Sequence, residues 1–205
     1  MKKILESRRT KINKNILIKF ENEIKKLYEN GKIKAPIHLS GNNEDQLIKI
    51  FKKIKKNDWV ISTWRSHYHA LLHNIPYQFL KKRILLGRSM GINSKKYKFY
   101  SSSIVGGGLS IGTGIGLALK RKKIKSKVWI FIGDMTFETG QFHECYKFVK
   151  NYNLPVKFVV EDNGLSTNTP TKSAWKKLSK IPSDIIYYKY KRRFPHHGTG
   201  NWILF

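Results

Sequence analysis

Lys127-Val128-Trp129-Ile130-Phe131-Ile132-Gly133-Asp134 is a run of β-formers that ends in a Gly-Asp pair, and Val156-Lys157-Phe158-Val159-Val160-Glu161-Asp162-Asn163 repeats the plan further along, with 26 residues between Asp134 and Glu161. Unbroken apolar runs of this length, rich in β-branched and aromatic residues, read as buried strands. Between them, Phe142, Cys145, Tyr146 and Val149 recur on one helical face of residues 142–150. Strand, helix and strand at this length form a βαβ unit, so the two strands are expected to be parallel with a right-handed crossover. Asp134 and Asn163 then emerge at the carboxyl edge of the sheet, where open α/β sheets bind ligands. A carboxylate beside an amide oxygen suits a hard divalent cation such as Mg²⁺, which usually brings phosphates with it. The expected fold is α/β, a mostly parallel sheet with helices on both faces.

Outward from this unit, residues 12–30 carry Ile16, Leu17, Phe20, Ile24 and Leu27 at helical spacing, and Asn30-Gly31 closes that helix. A second helix over 44–55 follows through Leu47, Ile48, Phe51 and Ile54. Asp58 to Thr63 reads as a short strand that delivers Trp64 and Arg65, Pro76 opens a helix to about Leu86, and 87–102 is polar and lysine-rich, which suggests a loop. The series Gly106-Gly107-Gly108-Leu109-Ser110-Ile111-Gly112-Thr113-Gly114-Ile115-Gly116 tempts a dinucleotide-binding reading. That reading needs a strand immediately before it and an acidic residue about 20 positions on, and neither is convincing here. A helix with small residues on one face for close packing is the better reading. The last strand is expected at Ile185 to Tyr190. One domain results: a helical N-terminal arm over 1–57, a core over 58–175, and a C-terminal strand and histidine loop over 176–205.

At 205 residues the chain can bury most of an apolar core. Its 41 Lys+Arg against 13 Asp+Glu give +28, a balance that ordinarily suggests nucleic acid. The basic residues run from Lys2 to Arg193, Lys far outnumbers Arg, and Ile and Asn are abundant, as AT-rich coding produces. With no nucleic-acid motif, nucleic acid is an unlikely partner, and attraction to an acidic protein is the cheaper use of the charge. The single Cys145 excludes an intrachain disulfide and fits a reducing compartment. Met1 to Arg9 lacks the apolar core of a signal peptide, and Ile104 to Leu119 is too short and glycine-rich for a bilayer, so a cytoplasmic protein is expected. Zinc is disfavoured, because His143-Glu144 has no second His four residues on and no cysteine pairs exist.

A Gly-Asp pair followed by an Asn at this spacing resembles the cofactor motif of thiamine diphosphate enzymes. Within them the chain is most similar to the alpha subunit of the 2-oxo acid dehydrogenases, the first component of pyruvate dehydrogenase-type complexes. Where that family reads GDGAANQG…ENN, residues 133–140 and 161–163 read GDMTFETG…EDN. Further matches follow in order: His38-Leu39 after a helical start, Trp64-Arg65-Ser66-His67-Tyr68-His69-Ala70-Leu71 for YRDHGHAL, Gly87-Arg88-Ser89-Met90 for GGSM, and Ile104-Val105-Gly106-Gly107 for GIVGG. The likeness covers roughly residues 16 to 175.

The resemblance implies a site. Asp134, Asn163 and the backbone carbonyl of Leu165 would hold Mg²⁺, with thiamine diphosphate oxygens completing the shell. Gly133, Met135, Thr136 and the amides after Asp134 would meet phosphate at the start of the next helix. Arg65 would grip the diphosphate, with Trp64 beside it where the family has Tyr. Ser103 and Val105 match backbone contacts to the aminopyrimidine. His38, His67 and a histidine of the loop Arg193-Phe194-Pro195-His196-His197-Gly198 would serve the reacting centre as proton carriers, His197 being favoured without excluding His196. The glutamate that activates the cofactor would come from a beta-type subunit in a hetero-oligomer. The reaction would be decarboxylation of a 2-oxo acid with acyl transfer to a lipoyl group on an acyltransferase. A transketolase-like enzyme or synthase, and a non-catalytic remnant, are the alternatives. Met135 replaces the motif's second Gly, Asp162 its first Asn and Gly91 the His of GGSMH, and about 60 residues that the family carries between Thr171 and the last strand are missing.

Overall fold

The computed structural model describes residues 12–203, so the stretch Met1 to Arg9 lies outside it. Strands β1 (Trp59–Ser62), β2 (Phe99–Ser101), β3 (Val128–Gly133), β4 (Val156–Asp162) and β7 (Ile186–Lys189) form one sheet in the order β2-β1-β3-β4-β7, every neighbouring pair parallel. The remaining two, β5 (Leu165–Ser166) and β6 (Thr169–Pro170), make a short antiparallel hairpin.

Alternation along the strands builds two cores. Trp129, Phe131 and Val159 face a layer of α1 (Lys14–Glu29), α2 (Glu44–Phe51), α3 (His67–Leu72) and α4 (Tyr77–Leu85). Val128, Ile130, Ile132, Phe158 and Val160 face α5 (Gly107–Arg121) and α7 (Gly140–Asn151). The α/β fold with helices on both faces is therefore what the chain adopts. Residues 14–51, anticipated as an arm, bury Leu17, Phe20, Ile24, Leu47 and Phe51 in the first core. Asn13 caps α1 by accepting from the Ile16 amide at 3.0 Å, and Gly31 leaves the helix at φ +66.

The glycine series forms α5. A Cβ at Gly112 would lie 2.5 Å from Ile130 Cδ1, one at Gly116 2.5 Å from Val156 Cγ2, and one at Gly108 2.7 Å from Ile61 Cγ2. Glycine at these positions lets the helix lie directly on the sheet. Among the described residues no helix is long and apolar enough to cross a membrane.

Two local features depart from expectation, at 99–101 and after Asp134, and a third, the helix after β1, is one for which the sequence had set no expectation. Residues 99–101, placed in a loop, form β2, since Phe99 and Ser101 turn inward beside β1; three residues are too few to show a period. The histidine-rich stretch after β1 is helical. The helix expected to follow Asp134 is a single turn, α6 (Asp134–Phe137), and α7 starts afresh at Gly140 under a Thr139 cap.

Candidate active site

The chain passes from β1 to β2 on one side, then crosses to β3 on the other side of β1. Such a reversal opens a crevice at the carboxyl ends of the two flanking strands. All five strand ends feed it: Thr63, Trp64 and Arg65 follow β1, Val105 follows β2, Gly133 to Thr136 end β3, Glu161, Asn163 and Leu165 belong to or follow β4, and Tyr190, Arg192 and His196 follow β7. The enclosed part of the crevice is about 60 Å³. That is room for a few waters or a phosphate-sized group, since one water needs roughly 10–15 Å³. A larger ligand bound here extends into the open.

Register sets the acidic corner. Gly133 pairs with Glu161, so Asp134 and Asn163 leave the sheet together. Oδ2 of Asp134 accepts from the Thr171 hydroxyl, while Oδ1 is buried without a partner. Burial raises the Asp134 carboxyl above its ordinary range, and the Thr171 hydrogen bond opposes the rise. Asn163 donates to Tyr190 Oη at 3.3 Å and accepts at Oδ1 from the Leu165 amide at 3.0 Å, which leaves that oxygen a second lone pair. Among the described residues no three His, Cys, Asp or Glu side chains cluster as metal ligands. A cation here would thus take the carboxylate, amide oxygen and Leu165 carbonyl, with phosphate or water for the rest, the set a hard ion prefers. The orphaned Oδ1 fits that use. Met135 lines the crevice with its sulfur 3.2 Å from Trp175 Nε1.

Opposite lies a histidine corner. The His38 and His196 rings are 4.9 Å apart, and the Trp64 ring is 6.0 and 6.1 Å from them. Backbone pairing fixes this meeting: His38 bridges Gly198, whose amide donates to the Ile37 carbonyl at 2.8 Å. Burial, with Arg65 and other nearby cationic groups adding to it, holds His38 down to about 3, so the imidazole is neutral, and its Nδ1 has no partner. His196 is lowered too, first by burial and then by Arg65.

Arg65 is buried and joins the two histidine segments. It donates from Nη1 to the Leu39 carbonyl and from Nη2 to the His196 carbonyl at 3.2 Å. Its five N–H groups leave others for an anion.

The structure thus gathers Trp64, Arg65, Val105, Gly133, Asp134, Met135, Thr136, Asn163 and Leu165 in one crevice, with His38 packed against its wall. Three expected residues are not there. His67 is fully buried beneath, with Nδ1 3.2 Å from Glu21 and Nε2 2.8 Å from Ser89, because α3 turns it into the first core. His197 is exposed, and His196 lines the crevice in its place. Ser103 is exposed and outside the lining. Sequence reading passed over Thr171, Asn43, Glu161 and Tyr190. Glu161 accepts from the Tyr188 hydroxyl and lies 3.2 Å from His69 Nε2. Its place in the strand-end motif was the one clue; Thr171, 37 residues from its partner Asp134, offered none.

A parallel sheet covered on both faces, with a crevice at its switch point, defines an open α/β protein of the kind that binds ligands at its strand tips. Residues 13–183 match the Dehydrogenase E1 component family, and the chain belongs to it. It is 29% identical over 165 residues to the pyruvate dehydrogenase E1 component subunit alpha of Rickettsia prowazekii, covering 75% of this chain and 50% of that one. Against the chloroplastic subunit alpha-3 of Arabidopsis thaliana it is 29% identical over 180 residues, 77% of this chain and 42% of the other. The alpha subunit of acetoin:2,6-dichlorophenolindophenol oxidoreductase from Bacillus subtilis is 28% identical over 166 residues, 76% and 50% of the two chains. The chain spans about half the length of these curated relatives. A solved structure of a putative thiamin diphosphate-dependent enzyme from Mycobacterium smegmatis aligns with TM-score 0.39 and 18% identity over 57% of this chain and 20% of that one.

Proposed function

We propose that this chain is the diphosphate- and Mg²⁺-holding alpha-type subunit of a thiamine diphosphate-dependent 2-oxo acid dehydrogenase. The observation that carries the reading is the buried, unpartnered Asp134 Oδ1 beside Asn163 at the switch point of a chain in the Dehydrogenase E1 component family. Asp134, Asn163 and the Leu165 carbonyl hold the cation. Arg65, already anchored to two carbonyls, turns its remaining N–H groups to the diphosphate. Thr136 and the backbone after Gly133 line the phosphate end, and Trp64 and Val105 the ring end. Thiamine diphosphate, when bound, supplies the nucleophilic carbon and the electron sink for decarboxylation. His38 and His196, both kept neutral by burial and Arg65, offer ring nitrogens for hydrogen bonds at the reacting end, and the Trp64 ring packs beside them.

The open crevice leaves room for a second chain over the cofactor, and a beta-type subunit bringing the activating glutamate suits that place. The acyl group passes to a lipoyl arm of a partner acyltransferase, in the cytoplasm. The likeness to the acetoin oxidoreductase subunit favours acetoin as a second donor class.

Calorimetric titration of thiamine diphosphate tests the reading. Binding is expected with Mg²⁺ and not with a chelator, and Asp134→Ala should weaken it on the order of 100-fold. Equal binding with and without metal overturns it. Repetition with a beta-type chain, then assay with pyruvate against acetoin, separates the donors; the chain alone should turn over neither.

A further inference from the structure

In a parallel sheet the loops that enter the strands all lie at the end opposite the strand tips that carry the crevice. Three of the five such segments here, 52–58 before β1, 95–98 before β2 and 120–127 (the end of α5 and its loop) before β3, are knit together by hydrogen bonds. Lys98 Nζ donates to the Asn57 carbonyl at 2.9 Å, Ser126 Oγ to the same carbonyl, and the Lys127 amide to Asp58 Oδ1 at 2.9 Å. Twelve exposed basic side chains stand on them: four, two and six in the three loops. None of the twelve is in an ion pair among the described residues. The one carboxylate within the loops, Asp58, is buried and spent on the Lys55 and Lys127 amides and Trp129 Nε1. So the basic excess is not evenly smeared. It has a pole.

Apolar surface accompanies it. Ile124 is 48% exposed within the most basic loop, and Lys120 Nζ donates to the carbonyl of Tyr152, itself 52% exposed. Beside these, at the entry to β4, a groove of about 280 Å³ is lined by Val149, Leu154, Pro155 and Val156 together with Lys127 and the Lys150–Asp184 ion pair.

We propose that this pole docks an acidic, amphipathic segment of a partner protein, carboxylates meeting the lysines and aliphatic side chains entering the groove. Charge complementarity argues for such an occupant, since the three loops offer twelve exposed cations and no exposed carboxylate, and the exposed carboxylate of the adjoining groove, Asp184, is paired with Lys150. Two details favour protein over nucleic acid. Only Arg121 among the twelve has the planar fork that grips phosphate in two places. The exposed rings of Phe148 and Tyr152 pack against each other at a tilt of 41°, centroids 4.5 Å apart, instead of standing free for bases. The site is at the opposite end of the sheet from the crevice, so it stands or falls independently of the enzymatic reading.

The test uses the full chain and a fluorescent peptide of repeated Glu-Glu-Leu-Leu units, with anisotropy as readout and circular dichroism to confirm folding of each variant. Binding should weaken about tenfold or more over a tenfold rise in salt. Reversal of Lys122, Lys123 and Lys125 to Glu should weaken it about tenfold, while reversal of Lys172, Lys176 and Lys177 to Glu, beyond the other end of the sheet, should change it less than about twofold. A Glu-Glu-Ser-Ser peptide should bind clearly more weakly than the leucine peptide. Equal losses from the two triple variants would reduce the effect to net charge and overturn the proposal. So would equal binding of the serine peptide, or tighter binding of a single-stranded oligonucleotide of the same charge.

Discussion

His67 and His38 are both nearly inaccessible, at 0% and 5% exposure, yet they live in opposite circumstances. Each nitrogen of His67 has a partner: Glu21 from α1 on one side and Ser89 on the other, while Glu21 also accepts from the Ser40 amide at 3.0 Å. His38 has a buried Nδ1 with nothing to bond and a second imidazole across from it. Buried polar groups are normally satisfied, so filled valences on an imidazole mark framework, while an open one at the wall of a crevice is available to a ligand; an orphan deep in the core, such as Glu21 Oε2, carries no such meaning. The comparison teaches that burial alone says little about a histidine. Its unused valences say more.

Removal of the framework is the harshest way to break this contrast. Glu21→Ala leaves His67 and the Ser40 amide unsatisfied in the core and should cost roughly 3–5 kcal/mol, read from urea unfolding. A loss under about 1 kcal/mol would erase the distinction. Next is the pH response of the other corner. His38 takes up its proton near 6.5 when unfolded and only near 3 when folded, so the unfolded chain binds more protons between those values. Stability should therefore fall as pH drops from about 6.5 to about 3, by an amount on the order of a few kcal/mol, and His38→Gln should flatten that part of the curve. Arg65→Lys keeps the charge but cannot reach both the Leu39 and His196 carbonyls; a loss of about 1–3 kcal/mol is expected in urea unfolding, while burial and the retained charge keep the His38 titration low in NMR spectra. The mildest change sharpens the comparison within one loop. His197→Gln should shift unfolding by less than about 0.5 kcal/mol and leave cofactor affinity alone, whereas His196→Gln should alter the His38 resonances.

Periodicity and strand-end chemistry made the βαβ unit, the parallel sheet and the two apolar faces legible, because 128–133 and 156–162 are long enough to show their pattern. The three residues of β2 are not. The Asp134 and Asn163 corner was legible because register follows from two strands adjacent in the sheet. Which of three histidines reaches the crevice was not, since the answer depends on contacts far apart in sequence. α3 rotates His67 inward, and pairing of His38 with Gly198 turns His196 rather than His197 to the cleft. Thr171 meets Asp134 for the same kind of reason, through a hairpin whose geometry no local pattern encodes.

Arg65 bonds Leu39 and, 131 residues away, His196. The histidine corner therefore cannot assemble during translation until nearly all of the described chain has been made. α1 to α4 have neighbours to pack on far earlier, but His38, between α1 and α2, waits for a segment far downstream. Closing so long a loop is slow compared with local folding. A nascent chain stalled after β4 but before residue 196 would carry the helical layer and the strands it packs on, and none of the histidine corner.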